Sequence, residues 1–484
     1  MIQQNQTPRV PPTIINAGFE ANLLEGWVTA GVLETGGYES EKRLTHPGGN
    51  APVESIQRLS DLSNGWYTLK AWVRSSGKQK EAFIALKDCG EDARASVPVV
   101  REKWLLVVVS AKVTKHQCTI SLYSDAEEGE WVSFDNVEVV PGRAALTVMG
   151  ADISSLKKSE DKGGVYAYED GREADALKIF HDHGMNYARI RVWVDSPDGY
   201  HGKAQLLEMA KRLQKNKIKL LVDFHYADSW ADPGKQPKPA AWSALDFEGL
   251  KQALYDHTYD VCNSLKEQGT PPDMVQFGNE INNGMLWPDG KSDNWDHLAA
   301  LLKEGYRAAK DCSPDTLVML HIAEGGDNEL ARWWFDNAIE RDVSFDLIGI
   351  SYYPYWHGTM ADLQTNLNDI AVRYDKDIIV VETAYAFTAD DNDNYENVIR
   401  FEERPGYPFS SQSQMQILAD IMTIVRAVPN AHGLGIMWWD ATWIAVPGNG
   451  WDPARPTSGN NWENQALFDF QNRALPAMKL FSQP

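Results

Sequence analysis

The sequence predicts a (β/α)8 TIM barrel, an α/β fold, preceded by an all-β sandwich. Three observations carry this. Short alternating or apolar runs, separated by Gly, Ser, Asn and Asp, fill residues 1–142. From residue 143 to residue 484, eight strand-like runs alternate with helical patterns. Nearly every one of those eight runs ends in polar or aromatic residues.

In the first domain, strands are predicted at 67–73, 82–86, 104–109 and 118–123. Many short strands with frequent turn signals suit a β-sandwich. The opening Asn16-Ala17-Gly18-Phe19-Glu20 with Gly26-Trp27, and the closing Phe134-Asp135-Asn136-Val137-Glu138-Val139, resemble the ends of jelly-roll carbohydrate-binding modules. That resemblance implies a structural calcium near Glu20 and Asp135. The alternative is a ligand-free sandwich that acts as a spacer or docking surface. Pro141-Gly142-Arg143 is a turn signal and marks the boundary.

In the second domain, strands are predicted at 146–153, 187–194, 218–225, 274–279, 316–322, 345–352, 378–383 and 433–439. Helical periodicity lies between them, as in 204–214, where Leu206, Leu207, Ala210 and Leu213 recur at helical spacing, and in Phe247–Glu267. Strand–helix alternation implies parallel strands with right-handed crossovers. A doubly wound open sheet is the alternative, but it concentrates polar groups at one switch point. Polar groups at nearly every strand end favour the barrel, whose site is built from all eight strand ends.

Composition bounds the partners. Lys and Arg number 46 against 68 Asp and Glu, a net charge of −22. This argues against a nucleic-acid or anionic-membrane footprint and favours a neutral partner. Of the 18 tryptophans, core packing accounts for about half; the remainder suit stacking on the apolar face of a pyranose. Cys89, Cys118, Cys262 and Cys312 form no CxxC, which argues against zinc. Cys89 and Cys118 either pair or remain buried thiols. No apolar run is long enough to span a membrane. Met1-Ile2-Gln3-Gln4-Asn5 lacks an apolar signal core. The protein is then either cytoplasmic or a mature extracellular or cell-surface form with an added Met, and a polymer-degrading role favours the second.

The chemistry starts from Met274–Phe277, an apolar run that ends in Gly278-Asn279-Glu280. A carboxylate at the end of a buried strand is costly without a task. The plain alternative is an Asn-Glu pair that closes a turn. Asp377–Thr383 repeats the pattern, with Glu382 at the strand end. Two such glutamates, about 5–5.5 Å apart, are the acid/base and nucleophile of a retaining glycosidase. Arg189, Arg191 and Trp193 share one strand face. Two buried guanidiniums need anionic partners, and Glu382 is the natural one, since a nearby arginine keeps it ionised. Asp223 and His225 share a face at the third strand end, and Asp152 ends the first. A lone core histidine is usually just satisfied, but this Asp–His pair sits where a site would be. Tyr352 and Tyr353 offer a hydroxyl to orient the nucleophile. Trp439 is placed as the floor under the reacting sugar.

Together, Gly150-Ala151-Asp152-Ile153-Ser154, Arg189-Ile190-Arg191-Val192-Trp193, Val222-Asp223-Phe224-His225-Tyr226 with Trp230-Ala231-Asp232-Pro233, Gly278-Asn279-Glu280, Ser351-Tyr352-Tyr353-Pro354 and Glu382-Thr383 resemble glycoside hydrolase family 53. These are endo-β-1,4-galactanases with catalytic glutamates on strands four and seven. The resemblance implies Glu280 as acid/base, Glu382 as nucleophile and Asn279 as partner of the sugar 2-hydroxyl. It implies β-1,4-galactan as substrate and no cofactor for catalysis; a monomer is expected. Asp391-Asn392-Asp393-Asn394-Tyr395-Glu396-Asn397 places oxygen ligands at alternate positions, as a calcium loop or a solvated acidic turn does. The resemblance implies a structural calcium held by Asp391, Asp393, the Tyr395 carbonyl, Asn397, Asn460 and Glu463. The family pattern has Ser and Asp at the last two positions. Trp439-Asp440-Ala441 also replaces the family's Trp-Glu-Pro and is expected to alter the rim of the cleft. A xylanase or mannanase of the same clan is the alternative, because no single residue reads the axial 4-hydroxyl of galactose. A non-catalytic polysaccharide-binding protein is the alternative of a different class.

Overall fold

The structure, a computed structural model, describes residues 10–99, 103–393 and 395–482. The first residues of the chain, including the segment read for a signal core, and Asn394 lie outside these. The chain divides into two compact units. One comprises Met1–Leu146 with Thr359–Gln364 and Ala419–Ala431, and the other comprises the remainder.

The first unit holds two antiparallel sheets. One runs in the order Val32–Thr35, Lys42–Pro47, Trp131–Pro141, Gly65–Ser75, Leu105–Val113, Gly90–Glu91. The other runs Val53–Leu59, Cys118–Ala126, Gln79–Lys87, Ala93–Ser96. Alternation assigns the faces: Leu69, Ala71 and Val73 are fully buried, while Lys70, Trp72 and Arg74 between them are only half-buried. Cys89 and Cys118 are bridged, which settles the choice left by their spacing; Cys262 and Cys312 are buried thiols. Asp135 is fully buried and accepts from Tyr38 N, Ser40 Oγ and Asn136 N, at 2.7, 2.6 and 2.7 Å. Glu20 accepts from Lys42 N at 2.8 Å.

In the second unit eight parallel strands close a barrel. In order they are β1 (Val148–Asp152), β2 (Tyr187–Val192), β3 (Lys219–Phe224), β4 (Met274–Phe277), β5 (Leu317–Ile322), β6 (Leu347–Ser351), β7 (Asp377–Thr383) and β8 (Gly433–Trp438). β8 pairs back onto β1, with Val148 opposite Gly435. All eight lie within a few residues of the predicted runs. Helices Lys203–Lys215 and Phe247–Glu267 follow β2 and β3 as the periodicity predicts. The interior is filled by Val148, Tyr187, Leu221, Met274, Met319, Leu347, Ile379, Val381 and Met437. Gly349 makes room for this layer, since a Cβ there would lie 2.5 Å from Met319 Sδ. Above it, towards the carboxyl ends, the inward side chains turn polar: Asp152, Arg189, Arg191, Asp223, Gln276, His321, Ser351 and Glu382 are all buried. That layer is the floor of the site.

Candidate active site

Arg189 organises the floor. One of its terminal nitrogens contacts Glu382 at 2.8 Å and Asp152 at 3.0 Å. The other contacts Asp223 and Asn279, both at 2.8 Å, and its Nε donates to Gln276 at 3.2 Å. A guanidinium with five partners is fixed in position, and its charge answers three buried carboxylates. Arg191 is placed elsewhere, although it shares a strand face with Arg189. It contacts Asp440 at 3.1 Å and Ser155 at 3.2 Å, and lies 4.2 Å from the Trp230 ring centre. Asp440 is fully buried in this contact, so the departure from the family pattern lies beneath the cleft and not on its rim.

Glu382 ends β7 and is 4% exposed. Besides Arg189 it accepts from the Tyr353 hydroxyl at 2.9 Å. The Tyr352 hydroxyl turns away and donates to Gly358 O at 3.1 Å. Glu280 follows β4 in left-handed backbone, at φ 48° and ψ 55°. Gly278 makes the turn possible at φ +71°, where a Cβ would lie 2.3 Å from Ile281 Cγ2. A strained non-glycine residue beside a polar cluster marks a site the surrounding structure holds in place.

His321 on β5 completes this part, and no pattern in the sequence singled it out. Its Nδ1 accepts from Gln276 Nε2 at 2.9 Å and from the Glu280 amide at 3.3 Å. Its Nε2 therefore carries the proton and donates to Ser351 Oγ at 2.8 Å. Ser351 lies near enough to the Glu280 carboxyl to draw its pKa down, against the rise from burial. Burial, with Arg189 nearby, keeps His321 neutral. A carboxylate oxygen of Glu280, one of Glu382 and a ring nitrogen of His321 all lie within 4.8 Å of one another.

The two carboxyls differ in charge environment. Burial raises the pKa of both. For Glu280 the negative charge of Glu382 adds to the rise. For Glu382, Arg189 and the Tyr353 hydroxyl oppose it. The first proton therefore leaves Glu382, and Glu280 keeps its own.

The remaining predicted residues surround this pair. Asn279 Nδ2 donates to Ala231 O at 2.9 Å, and its Oδ1 accepts from Arg189. His225 Nε2 meets Asp223 at 3.0 Å, and its Nδ1 accepts from Trp193 Nε1 and the Ala231 amide, both at 3.3 Å. Trp193 is buried, packed edge-on against Trp230. Trp439 and Trp230 are half-buried, with ring centres 6.0 Å apart, and are backed by the buried Trp443 and Trp462. Together they form an aromatic wall.

The loop after β7 folds against the segment before residue 464. Oxygens of Asp391, Asp393 and Glu463 lie within 4.8 Å of one another. Glu463 is 1% exposed, and one of its oxygens has no hydrogen-bond partner among the described residues; Asn397 Oδ1 is likewise buried and without a partner among them. Buried orphan oxygens facing acidic neighbours fit a hard cation. Asn460 Oδ1 accepts from Trp462 N at 2.9 Å, and its amide donates to Trp443 O.

The model of glycosyl hydrolase family 53 matches residues 148–481. The chain belongs to this family. An endo-β-1,4-galactanase of Bacillus subtilis is 33% identical over 380 residues, covering 71% of this chain and 87% of that protein. Arabinogalactan endo-β-1,4-galactanase A of Aspergillus niger is 36% identical over 310 residues, covering 62% and 87%. Among solved structures, the family 53 catalytic domain of Ignisphaera aggregans superposes with a TM-score of 0.67 at 41% identity, covering 70% of this chain and 96% of that one. The family match covers β1 to β8, the unit that holds both glutamates.

Proposed function

We propose that this chain is an endo-acting, retaining hydrolase that cleaves β-1,4-galactosidic bonds in galactan and arabinogalactan by double displacement. The observation that carries the reading is the reach between the Glu280 and Glu382 carboxyl oxygens, within 4.8 Å. That separation suits a retaining pair and leaves no room for the water of an inverting one. The names of the family 53 relatives support galactan as substrate.

Glu280 begins protonated and donates to the glycosidic oxygen as that bond breaks. Glu382, ionised against Arg189, attacks the anomeric carbon and forms a glycosyl-enzyme. Once Glu382 is esterified, the charge that raised the Glu280 pKa is gone. Glu280 then acts as base for the water that releases the sugar. Asn279, held by Arg189 and Ala231, is positioned to meet the 2-hydroxyl, and Trp439 to stack under the reacting ring.

The loop of Asp391, Asp393, the Tyr395 carbonyl, Asn397, Asn460 and Glu463 is proposed to hold a structural calcium, supported by the two orphan oxygens. The β-sandwich is proposed to bind carbohydrate. A secreted or cell-surface monomer suits a polymeric substrate too large to enter a cell.

Two measurements test the reading. Reducing-sugar release is expected from galactan and not from xylan or mannan; the opposite order reassigns the substrate within the clan, and galactan retention without turnover makes the chain a binding protein. Proton NMR of the first product is expected to show the β-anomer. Glu382→Ala is expected to abolish turnover, with azide restoring it as the α-galactosyl azide. An α-configured product from the unmodified enzyme rules out double displacement.

A further inference from the structure

Glu280, just after β4, and Glu382, on β7, divide the ring of strand ends into two arcs. The arc of β8, β1, β2 and β3 carries the aromatic wall of Trp230 and Trp439. A glycan that runs between the two carboxyls with its glycone on that wall is carried towards the other arc, that of β5 and β6. Trp356 stands there, in the turn after β6, and is 50% exposed. It is three residues from Tyr353, which touches the nucleophile, and its ring centre is 5.8 Å from that of Tyr353.

The turn that presents it is fixed. The amides of Trp356 and His357 both donate to Tyr353 O, at 3.1 and 3.0 Å. Tyr355 stacks on Tyr385 at 5.2 Å, and its hydroxyl accepts from Ala386 N at 2.7 Å. A half-exposed indole on a rigid turn is a preorganised apolar surface, since little conformational entropy is lost when a ligand covers it. His357, 6.4 Å from Trp356 by ring centres, also approaches Glu324 at 3.9 Å. Glu324 is exposed and held at φ +66°. This side of the cleft therefore offers a flat apolar plate and a carboxylate acceptor, the combination that a sugar ring and its hydroxyls require.

We propose that Trp356 is the stacking platform for the galactosyl unit on the leaving-group side of the scissile bond. The assignment rests on the galactanase reading, with Trp439 under the glycone. It makes Trp356 a specificity residue for polymeric leaving groups. It has no part in the bond-making groups themselves.

The test compares two leaving groups in the full-length enzyme. β-1,4-Galactan leaves a sugar that can stack on the indole; β-galactobiosyl fluoride leaves only fluoride. Trp356→Ala is expected to lower kcat/KM on galactan about tenfold, with Trp356→Tyr recovering part of the loss. On the fluoride, Trp356→Ala is expected to stay within about twofold. Equal losses on both substrates would place Trp356 under the glycone or in the fold, and an unchanged rate on galactan would remove it from the subsite; either result overturns the inference. If the unmodified enzyme turns over neither substrate, it is the galactanase reading that fails.

Discussion

Arg189 and Tyr353 decide which carboxyl holds the proton. Both touch Glu382, at 2.8 and 2.9 Å, and neither contacts the Glu280 carboxyl by hydrogen bond or ion pair. On the proposed mechanism the acid limb of the pH–rate profile is expected to be the protonation of Glu382, and the alkaline limb the ionisation of Glu280. Tyr353→Phe deletes a donor that lowers the Glu382 pKa. That pKa then rises, so the acid limb of kcat/KM is expected to move to higher pH while the alkaline limb holds. The lost hydrogen bond to a charged group is expected to cost roughly 10- to 100-fold in kcat. A shift of the acid limb to lower pH would contradict the assignment. His321 invites a companion measurement. It accepts from the Glu280 amide and donates to Ser351 on its other side, yet carries no charge itself. His321→Ala is expected to lower kcat roughly tenfold or more through misplacement of the acid. The loss should be smaller on an activated aryl galactoside, whose departure needs no proton; equal loss on both substrates would make His321 merely structural. The two glutamates were legible in the sequence because each follows a run of apolar residues that leaves a carboxylate with no structural reason to be there. His321 sits inside Leu317–Ile322, where a single histidine among apolar residues is indistinguishable from a satisfied core group.

The loop after β7 is tied to the segment before residue 464 by the Asn392 amide and Asn397 Nδ2, which both donate to Glu463 Oε1, and by Asp393, which accepts from the Asn460 amide. Glu463 Oε2 and Asn397 Oδ1 are buried with no hydrogen-bond partner among the described residues, and carboxylate oxygens of Asp391 and Asp393 gather against Glu463. A cation that binds only the folded loop stabilises it by mass action, by about 2.7 kcal/mol at a hundredfold excess over Kd. Chelation is therefore expected to lower Tm by about 5 °C or more, with calcium restoring it. Asp393→Ala should abolish the difference between the chelated and calcium-loaded forms. Identical melting with and without chelator would return the loop to a solvated acidic turn. Elements were the most readable level of this chain. Strand–helix alternation and the apolar runs located all eight barrel strands, and Phe247–Glu267 was found to its ends because its apolar period is unbroken and Asp246 caps it at the Gly249 amide. Other features depended on distances that spacing does not encode. The pairing of Cys89 with Cys118 needs the edge of one sheet to meet the start of a strand in the other. The separation of Arg191 from Arg189 needs Asp440, 249 residues later in the chain, to claim the second guanidinium. Alternation along β2 placed both arginines on one face and could not say that Arg191, which approaches Asp152 only at 3.9 Å, would take Asp440 as its near acid while Arg189 takes Asp152 and Glu382.

At the scale of the whole molecule the governing quantity is charge. With 68 acidic against 46 basic residues the chain carries −22, and much of that lies on surface side chains. A neutral galactan feels none of this field, so its hydrolysis should be nearly independent of ionic strength. Galactan still attached to a uronic-acid backbone is different, because the polyanion is repelled before any galactosyl unit reaches Glu280 and Glu382. Screening acts on this term alone: the Debye length falls from about 30 Å at 0.01 M salt to about 10 Å at 0.1 M. Raising sodium chloride over that range is expected to increase kcat/KM on the acidic polymer several-fold. The gain should appear mainly in KM, since repulsion hinders encounter and not bond cleavage. The debranched neutral polymer should change by less than about 1.5-fold over the same range, because only the acidic substrate has a repulsion for salt to screen. An equal response by both polymers would locate the salt effect in the fold or in the catalytic pair. A fall in activity on the acidic polymer would require a basic docking surface strong enough to overcome the net charge. That outcome would point first to the face of the six-stranded sheet where Arg43 and Arg74 lie over Trp131.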